Sequence, residues 1–304
     1  AMTDYSKEMT ISDEIIKRVS ESYRRIRNTS KFLLSNINDY DDQGHGIESK
    51  DMVELDKWII YRAKELNNQI LKDYDEFKFH KIMQDVINFC TLELGGYYLD
   101  IIKDRLYTSK KDGLPRLSAQ KTCHILMSYL NTWIAPILTF TAEEIYSRMP
   151  NNKESIYLKE WLDVSIEIDD EKVKLYDNLY SIKPHISRMI EEARNKNEIG
   201  SSLECELSIC CNKHLYNDLD KLSDELKFIF IVSVCNITLG NETDSYSIDD
   251  NLNKFSIAVS KSNHQKCERC WHLDKSVGSI EGSPKICKRC FDNVHGDGEC
   301  RTYA

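Results

Sequence analysis

The hydrophobic residues in the first half of the chain recur every three or four positions, which is the period of an amphipathic α-helix. The pattern predicts five helices, which begin near residues 13, 51, 75, 118 and 141. Ser12 or Asp13 can cap the first helix, and Thr141-x-x-Glu144 is typical of a capping box at the start of the fifth. Because strand-like alternation is scarce here, we expect residues 10–150 to form a helical bundle.

The third predicted helix, from about residue 75, contains an adjacent pair of glycines at Gly95 and Gly96. Glycine lowers helix stability because its backbone is flexible, and its missing side chain lets another backbone come near. The pair therefore either weakens this helix or marks a close approach of a second one.

The second half of the chain mixes helical and strand-like patterns. Residues 169–197 predict a long helix that Pro184 should kink. The run from Leu203 to Ile209 alternates apolar and polar residues, which indicates a half-buried strand. Two further strands are predicted in FIFIVSVCNITL (residues 228–239) and KFSIAVSKS (residues 254–262), after a short helix near 213–226. This region should form a small α+β unit.

The composition indicates a soluble cytoplasmic protein of two or three domains. The 304 residues are 41% hydrophobic and 30% charged, and no stretch is long and apolar enough for a membrane span. The N-terminal residues AMTDYSKEMT lack the apolar run of a secretory signal.

The first predicted helix is locally basic although the chain carries a net charge of −9. Residues 15–31 hold six basic side chains against one acidic side chain, and several of the basic ones fall opposite the apolar stripe. A basic helix face can bind phosphates, but most charge runs are merely solvated. The candidate RNA contacts on this helix are Lys17, Arg24, Arg27 and Lys31.

Eleven cysteines in a cytoplasmic protein should be mostly reduced, so metal binding or plain burial must account for them. Four of them form two Cys-x-x-Cys pairs separated by sixteen residues, which matches the spacing of structural zinc sites. The predicted ligands of one structural Zn²⁺ are Cys267, Cys270, Cys287 and Cys290. His264, His272 and His295 are nearby substitutes that are not needed if all four thiols bind.

The remaining cysteines have no such spacing. Most lie in apolar or alternating runs, where a free thiol behaves as a small hydrophobic side chain. Those interpreted as core residues are Cys90, Cys123, Cys205, Cys210 and Cys235. Cys211 and Cys300 are left without an assigned role.

Arg269 and Trp271 belong to the first Cys-x-x-Cys turn, in the sequence CERCW. A guanidinium beside an indole suits stacking on the unpaired bases of single-stranded RNA. The alternative is that Trp271 only covers the small core of the finger.

Four stretches of the chain together resemble the C-terminal part of a bacterial-type isoleucyl-tRNA synthetase. They are ISDEIIKRVSESYRRIRNTSKFLLSN (11–36), IAPILTFTAEEIY (134–146), EEARNKNEIGSSLE (191–204) and KCERCW…ICKRCFDNVHGDGECR (266–301). The first two are also similar to the valine and leucine enzymes of class I, whereas the terminal finger favours isoleucine.

The resemblance implies a mainly α protein in three parts. These are a helical anticodon-binding bundle (residues 1–160), a connecting α+β domain (161–262) and a C-terminal zinc finger with four cysteine ligands (263–304). It also implies a monomer that binds the anticodon stem and loop of isoleucine tRNA and works with a catalytic domain of the same polypeptide.

The two ATP-binding signatures of class I synthetases, His-Ile-Gly-His and Lys-Met-Ser-Lys-Ser, are absent from these 304 residues. We therefore expect no catalytic residue here and no activity of this chain alone, with ATP used only by the catalytic domain. The alternative from another class is a free-standing nucleic-acid-binding protein built on a zinc ribbon, since formamidopyrimidine DNA glycosylases have a similar finger.

Overall fold

The computed structural model describes residues 1–41, 47–150, 154–241, 246–250 and 252–304. The chain divides into two compact units, one of residues 1–102 and 116–168, the other of residues 103–115 and 169–304. The predicted finger (residues 263–304) thus lies in the same unit as the predicted α+β region. Residues 103–115, from the first half of the sequence, belong to this unit as well. The division into three domains stays a prediction.

The first unit is built from helices. In chain order they are α1 (Asp13–Asn36), α2 (Glu54–Asp75), α3 (Phe79–Asn88), a π-helical segment (Phe89–Tyr98), α4 (Leu99–Thr108), α5 (Leu114–Ile134) and α6 (Thr139–Tyr146). The unit boundary falls within α4, after Ile102, and within α5, before Arg116. The predicted helical bundle is confirmed.

Helix α1 is amphipathic as its sequence pattern predicts. Ser12 caps it, because the Ser12 hydroxyl accepts a hydrogen bond from the Ile15 amide at 3.3 Å. Ile26 and Leu33 are fully buried on its apolar side, whereas Val19 is partly exposed. The helix therefore packs mainly through its second half.

A buried polar cluster organises the core of the first unit. The Asp56 carboxylate accepts hydrogen bonds from Tyr98 Oη at 2.7 Å and from Ser118 Oγ at 2.6 Å. Asn67 Oδ1 accepts from the indole nitrogens of Trp133 and Trp161, at 2.9 Å and 2.8 Å. Each of these buried acceptors thus has partners that offset its loss of water.

The predicted third helix begins later than expected, at Phe79, and it is less regular than a single α-helix. It comprises α3, the π-helical segment and α4, and Gly95 and Gly96 lie in the π-helical segment. A Cβ on Gly95 would lie 3.1 Å from the Cys90 carbonyl oxygen, and a Cβ on Gly96 would lie 3.3 Å from that of Thr91. Both glycines are exposed. They fit the wider helical turn, and their exposure gives no sign of a second helix approaching there.

The predicted capping box at α6 is wrong. Helix α6 begins two residues earlier, at Thr139, and its N-cap residue Leu138 makes no side-chain cap. Thr141 Oγ1 instead hydrogen-bonds Tyr23 Oη at 2.9 Å, and Glu143 accepts from the Ile156 amide at 3.0 Å. Tertiary contacts therefore occupy the side chains near this helix start.

The second unit contains helix α7 (Asp170–Asn195), which continues through Pro184, and a four-stranded sheet. The sheet order is β2 (Val234–Leu239), β1 (Cys205–Cys211), β4 (Asn253–Lys261), β3 (Ile248–Asp250). Strand β1 is parallel to β2 and antiparallel to β4, and β3 is antiparallel to β4. The α+β prediction is confirmed.

One predicted strand is partly a helix. After α8 (Lys213–Leu222), the residues of FIFIVSVCNITL begin in α9 (Leu226–Phe230), and only the last six form β2. A short apolar run fits a buried helix and a buried strand equally well, so periodicity cannot separate them. Ile231, at a φ of 57°, ends α9 in the left-handed conformation and turns the chain into β2.

No helix in the described part of the chain is both long enough and apolar enough to cross a lipid bilayer.

Candidate metal centre and RNA-facing residues

The four predicted ligands form one cluster in the second unit. The Sγ atoms of Cys267, Cys270, Cys287 and Cys290 all lie within 4.8 Å of one another. Cys270 Sγ and Cys287 Sγ are 3.7 Å apart. In a tetrahedral zinc–thiolate site with Zn–S bonds of about 2.3 Å, neighbouring sulfurs are about 3.8 Å apart. The sulfurs therefore fit a tetrahedral four-thiolate metal site.

Two small elements present the thiols. The hairpin of β5 (Gln265–Lys266) and β6 (Leu273–Asp274) carries the first Cys-x-x-Cys turn. Helix α10 (Lys288–His295) carries the second turn, with Cys287 as its N-cap residue. The Cys287 amide donates to Cys267 Sγ at 3.3 Å. Backbone amides and a helix N-terminus thus face the sulfurs, and both stabilise negative charge on them.

The thiols also affect one another. Hydrogen bonds from Cys270 and Cys290 lower the pKa of the Cys287 thiol to about 4. Hydrogen bonds with Cys270 and Cys287 raise the pKa of the Cys290 thiol. The cluster therefore favours at least one thiolate at neutral pH, which is the form that binds a metal.

The three nearby histidines lie outside the sulfur cluster. His264 and His295 are exposed, whereas His272 is buried with its Nδ1 3.3 Å from the Cys270 carbonyl oxygen. Among the His, Cys, Asp and Glu side chains of the described residues, these four cysteines form the group whose ligand atoms lie close enough together to bind one metal ion. Four protein ligands leave no open position for a reacting water, so such a metal has a structural role.

Trp271 lies on the surface of the finger. Its side chain is 60% exposed, while the small core of the finger consists of the four cysteines and Val277, with Ile286 against it. Its φ of 67° is in the left-handed region, which costs a non-glycine residue about 1 kcal/mol. Lys266 Nζ lies 5.7 Å from the centre of the Trp271 ring. Packing in the core of the finger therefore does not explain why a tryptophan stands at this position.

The third residue of each Cys-x-x-Cys turn is an arginine, and both arginines reach the last turn of α4. Arg269 Nη1 donates to the Thr108 carbonyl oxygen. Arg289 Nη1 donates to Asp104 Oδ2 at 2.7 Å and to Thr108 Oγ1 at 3.3 Å. The two Cys-x-x-Cys turns are thereby attached to residues 103–115 of their own unit.

Arg289 belongs to a mostly buried network of charges with Asp104, Glu299 and Arg301. Arg301 donates to Asp104 at 2.6 Å and to Glu299 at 2.7 Å. The Arg301 guanidinium carbon also lies 3.3 Å from the centre of the Phe228 ring. Burial by itself would raise the pKa of Asp104 and Glu299, but the two arginines lower both pKa values below their ordinary range. Both carboxylates are charged at neutral pH.

The local sequence pattern does not predict this network. Asp104 and Arg289 are 185 residues apart in the chain, and an aspartate in an amphipathic helix is usually solvated. The arginine at the same position of both Cys-x-x-Cys turns is the signal that could have indicated a shared partner.

The basic residues predicted on α1 are exposed. Lys17, Arg24, Arg27 and Lys31 lie away from the side that buries Ile26 and Leu33. Arg24 approaches Glu21 at only 4.0 Å, and Arg27 donates to Tyr23 Oη at 3.4 Å. These weak contacts leave the cations able to bind another partner.

The other cysteines are mostly interior. Cys90, Cys123, Cys205 and Cys211 are buried, Cys210 and Cys235 are half-buried, and Cys300 is exposed. Burial raises the thiol pKa to about 12 at Cys90, Cys211 and Cys235, and to about 11 at Cys205. Such thiols are protonated and unreactive at neutral pH.

Comparisons with known proteins agree with this geometry. Residues 56–209 match the anticodon-binding domain of tRNA ligase, and residues 265–293 match the zinc finger found in FPG and IleRS. Curated relatives are the isoleucine–tRNA ligases of Ruthia magnifica subsp. Calyptogena magnifica (44% identical over 306 residues), Shewanella sediminis (39% over 308) and Shewanella halifaxensis (41% over 308). Each alignment covers 100% of this chain and 33% of the relative, so the chain spans a third of the length of the curated relatives it matches. The match over residues 56–209 covers more than half of this chain, and the chain therefore belongs to the family of anticodon-binding domains of tRNA ligases.

Proposed function

We propose that this chain binds the anticodon stem and loop of an isoleucine tRNA and positions it for ATP-dependent aminoacylation by a catalytic domain of the same polypeptide. The observation that carries the proposal is the match of residues 56–209 of this chain to the anticodon-binding domain of tRNA ligase, and the relatives named isoleucine–tRNA ligase supply the choice of amino acid. Holding a substrate in the reactive geometry is itself a large part of catalysis. The chain acts as a monomer, and its own contribution is binding and orientation.

In this proposal one structural Zn²⁺ is bound by Cys267, Cys270, Cys287 and Cys290. The 3.7 Å separation of two of the sulfurs and the zinc-finger match over residues 265–293 support this choice of metal. Zinc binding fixes the two Cys-x-x-Cys turns, since a metal bound only by the folded form stabilises that form.

The basic face of α1 provides phosphate contacts. Lys17, Arg24, Arg27 and Lys31 occupy the exposed side of a helix whose other side is buried. Side chains of this kind bind the sugar–phosphate backbone and set the orientation of the RNA without reading its sequence.

Trp271 and Arg269 provide the contact to unpaired bases. The exposure of Trp271 supports stacking over the alternative of core packing. Arg269 uses one donor on the Thr108 carbonyl, and a guanidinium has five N–H donors, so others remain for a base or phosphate. The hydrogen bond to Thr108 also keeps this side chain ordered before RNA arrives, which lowers the entropy lost on binding.

Competitive filter binding tests the function. The labelled ligand is an isoleucine tRNA, and the competitors are a valine tRNA, a leucine tRNA and duplex DNA of equal phosphate content. We expect the isoleucine tRNA to bind most tightly and duplex DNA to compete poorly. Equal competition by duplex DNA would favour the free-standing zinc-ribbon alternative, and preference for a valine or leucine tRNA would favour another class I synthetase.

A further inference from the structure

Tyr107, at the end of helix α4, is a second exposed aromatic residue in the unit that holds the finger. Its side chain is 59% exposed, nearly the same as that of Trp271. It is adjacent in sequence to Thr108, whose carbonyl oxygen accepts the hydrogen bond from Arg269. Trp271 is two residues after Arg269. One hydrogen bond therefore connects the backbone next to Tyr107 with the turn that carries Trp271.

The packing of α4 explains why Tyr107 is left on the surface. Asp104 and Thr108, one helical turn apart, both contact Arg289, so this side of α4 faces the finger. Arg105 is buried and donates to the Pro115 carbonyl oxygen at 3.1 Å. Tyr107, three residues after Asp104, lies beside the contact with the finger but outside it.

The charges around the two aromatic rings suit a polyanion. Residues 103–115 contain four basic side chains and two acidic ones. Arg105 is buried and Asp104 is paired with Arg289 and Arg301, which leaves three lysines and one aspartate nearer the surface. Lys103, four residues before Tyr107, is exposed, and Lys266 lies near the Trp271 ring. An exposed aromatic ring among cations is the arrangement that binds single-stranded RNA.

We propose that Tyr107 is a second base-stacking residue, which together with Trp271 binds unpaired bases of the tRNA anticodon loop. The inference rests on the proposed function, and it extends the contact from the finger to the segment 103–115. The buried ion pairs of Asp104 with Arg289 and Arg301 hold helix α4 against the finger, so both aromatic rings are in place before RNA binds.

Binding of an anticodon stem-loop RNA that carries 2-aminopurine in its loop tests this. Stacking of one base is lost in Tyr107→Ala, which should raise the dissociation constant about 5- to 100-fold without changing the salt slope. Tyr107→Phe should bind like the parent chain because it keeps the ring. The 2-aminopurine fluorescence quenched by the parent chain should be partly recovered with Tyr107→Ala.

Two controls separate stacking from other effects. Tyr107→Leu keeps apolar bulk without an aromatic face and should bind as weakly as Tyr107→Ala. Leu239→Ala removes another exposed apolar side chain of the same unit, on strand β2, and should leave binding unchanged.

The inference is overturned if Tyr107→Ala, folded and with its zinc retained, binds as tightly as the parent chain. It is also overturned if Tyr107→Leu restores binding. In either case the proposed function would still stand if the Trp271→Ala variant bound the stem-loop RNA more weakly than the parent chain. Failure of the parent chain to bind the stem-loop RNA would instead contradict the proposed function itself.

Discussion

At the scale of single residues, Trp271 combines exposure, an unfavourable backbone conformation and a neighbouring cation. Stacking on one unpaired base is worth about 1–3 kcal/mol and depends little on salt. Trp271→Ala should therefore raise the dissociation constant for isoleucine tRNA about tenfold or more with an unchanged salt slope. Equilibrium binding at several salt concentrations measures both quantities.

The control for Trp271 is the conservative variant Trp271→Phe, which keeps an aromatic face and should retain most of the affinity. If Trp271 only packed the finger, Trp271→Ala would lose zinc or protease resistance in parallel with affinity. A folded, zinc-containing Trp271→Ala variant that binds like the parent would exclude a contact by this residue.

The cations of α1 should act through charge alone. If Arg24 and Arg27 contact phosphates as proposed, replacing both by Ala should lower the salt slope by about 1 to 2 and weaken the binding of all tRNAs by similar factors. Arg18→Ala is a matched control on the same helix, since Arg18 lies away from this row and pairs with Glu14. An unchanged slope in the folded Arg24→Ala/Arg27→Ala variant would show that this face is only solvated.

At the scale of elements, Asp104 attaches helix α4 to the finger. Asp104→Asn keeps the shape but leaves Arg289 and Arg301 without one of their two carboxylate partners, and breaking a buried ion pair in this way costs about 3 kcal/mol. We expect faster hydrogen exchange in residues 288–301. Asp292→Asn, which breaks an exposed pair with Lys288 at 3.4 Å, should change little.

The pH dependence of this contact follows from the lowered pKa values of Asp104 and Glu299. Their stabilising effect is fully present above the ordinary carboxyl pKa of about 4 and is lost as pH falls through the lower folded-state values. The stability difference between the parent chain and Asp104→Asn should thus be constant from pH 7 to about pH 4.5 and shrink in more acidic solution. A difference that shrank between pH 7 and about pH 5 would contradict this assignment of charges.

Local patterns in the sequence predict some of these elements well and others poorly. The alternation around Leu207 gives β1, and the spacing of the cysteines gives the sulfur cluster, because both depend on neighbouring residues. Three features depend on residues far apart in the sequence and were not predicted. They are the helical start of FIFIVSVCNITL, the hydrogen bond between Thr141 and Tyr23, and the ion pair of Asp104 with Arg289. In each of them tertiary packing outweighs local preference.

At the scale of the whole molecule, the division into two compact units determines how zinc loss should spread. The finger lacks a large apolar core of its own, because its buried cluster consists of the four cysteines and Val277. Its attachments to α4 are the arginine contacts to Asp104 and Thr108, and Arg269 and Arg289 both lie within the Cys-x-x-Cys turns. Metal binding and attachment to residues 103–115 should therefore be coupled.

Zinc removal should consequently loosen the finger and residues 104–109 together while the first unit stays folded. In hydrogen exchange followed by mass spectrometry, a chelator should speed exchange in residues 265–301 and in the last turn of α4, with α1 and α2 unchanged. Added zinc should reverse the effect and added magnesium should not, since thiolates prefer zinc. The protein purified without chelator should hold one zinc, and Cys267→Ser/Cys287→Ser should hold none and exchange like the chelated chain. Faster exchange confined to residues 265–301 would show that the finger folds without the help of α4, and faster exchange throughout the chain would show that the two units are not independent.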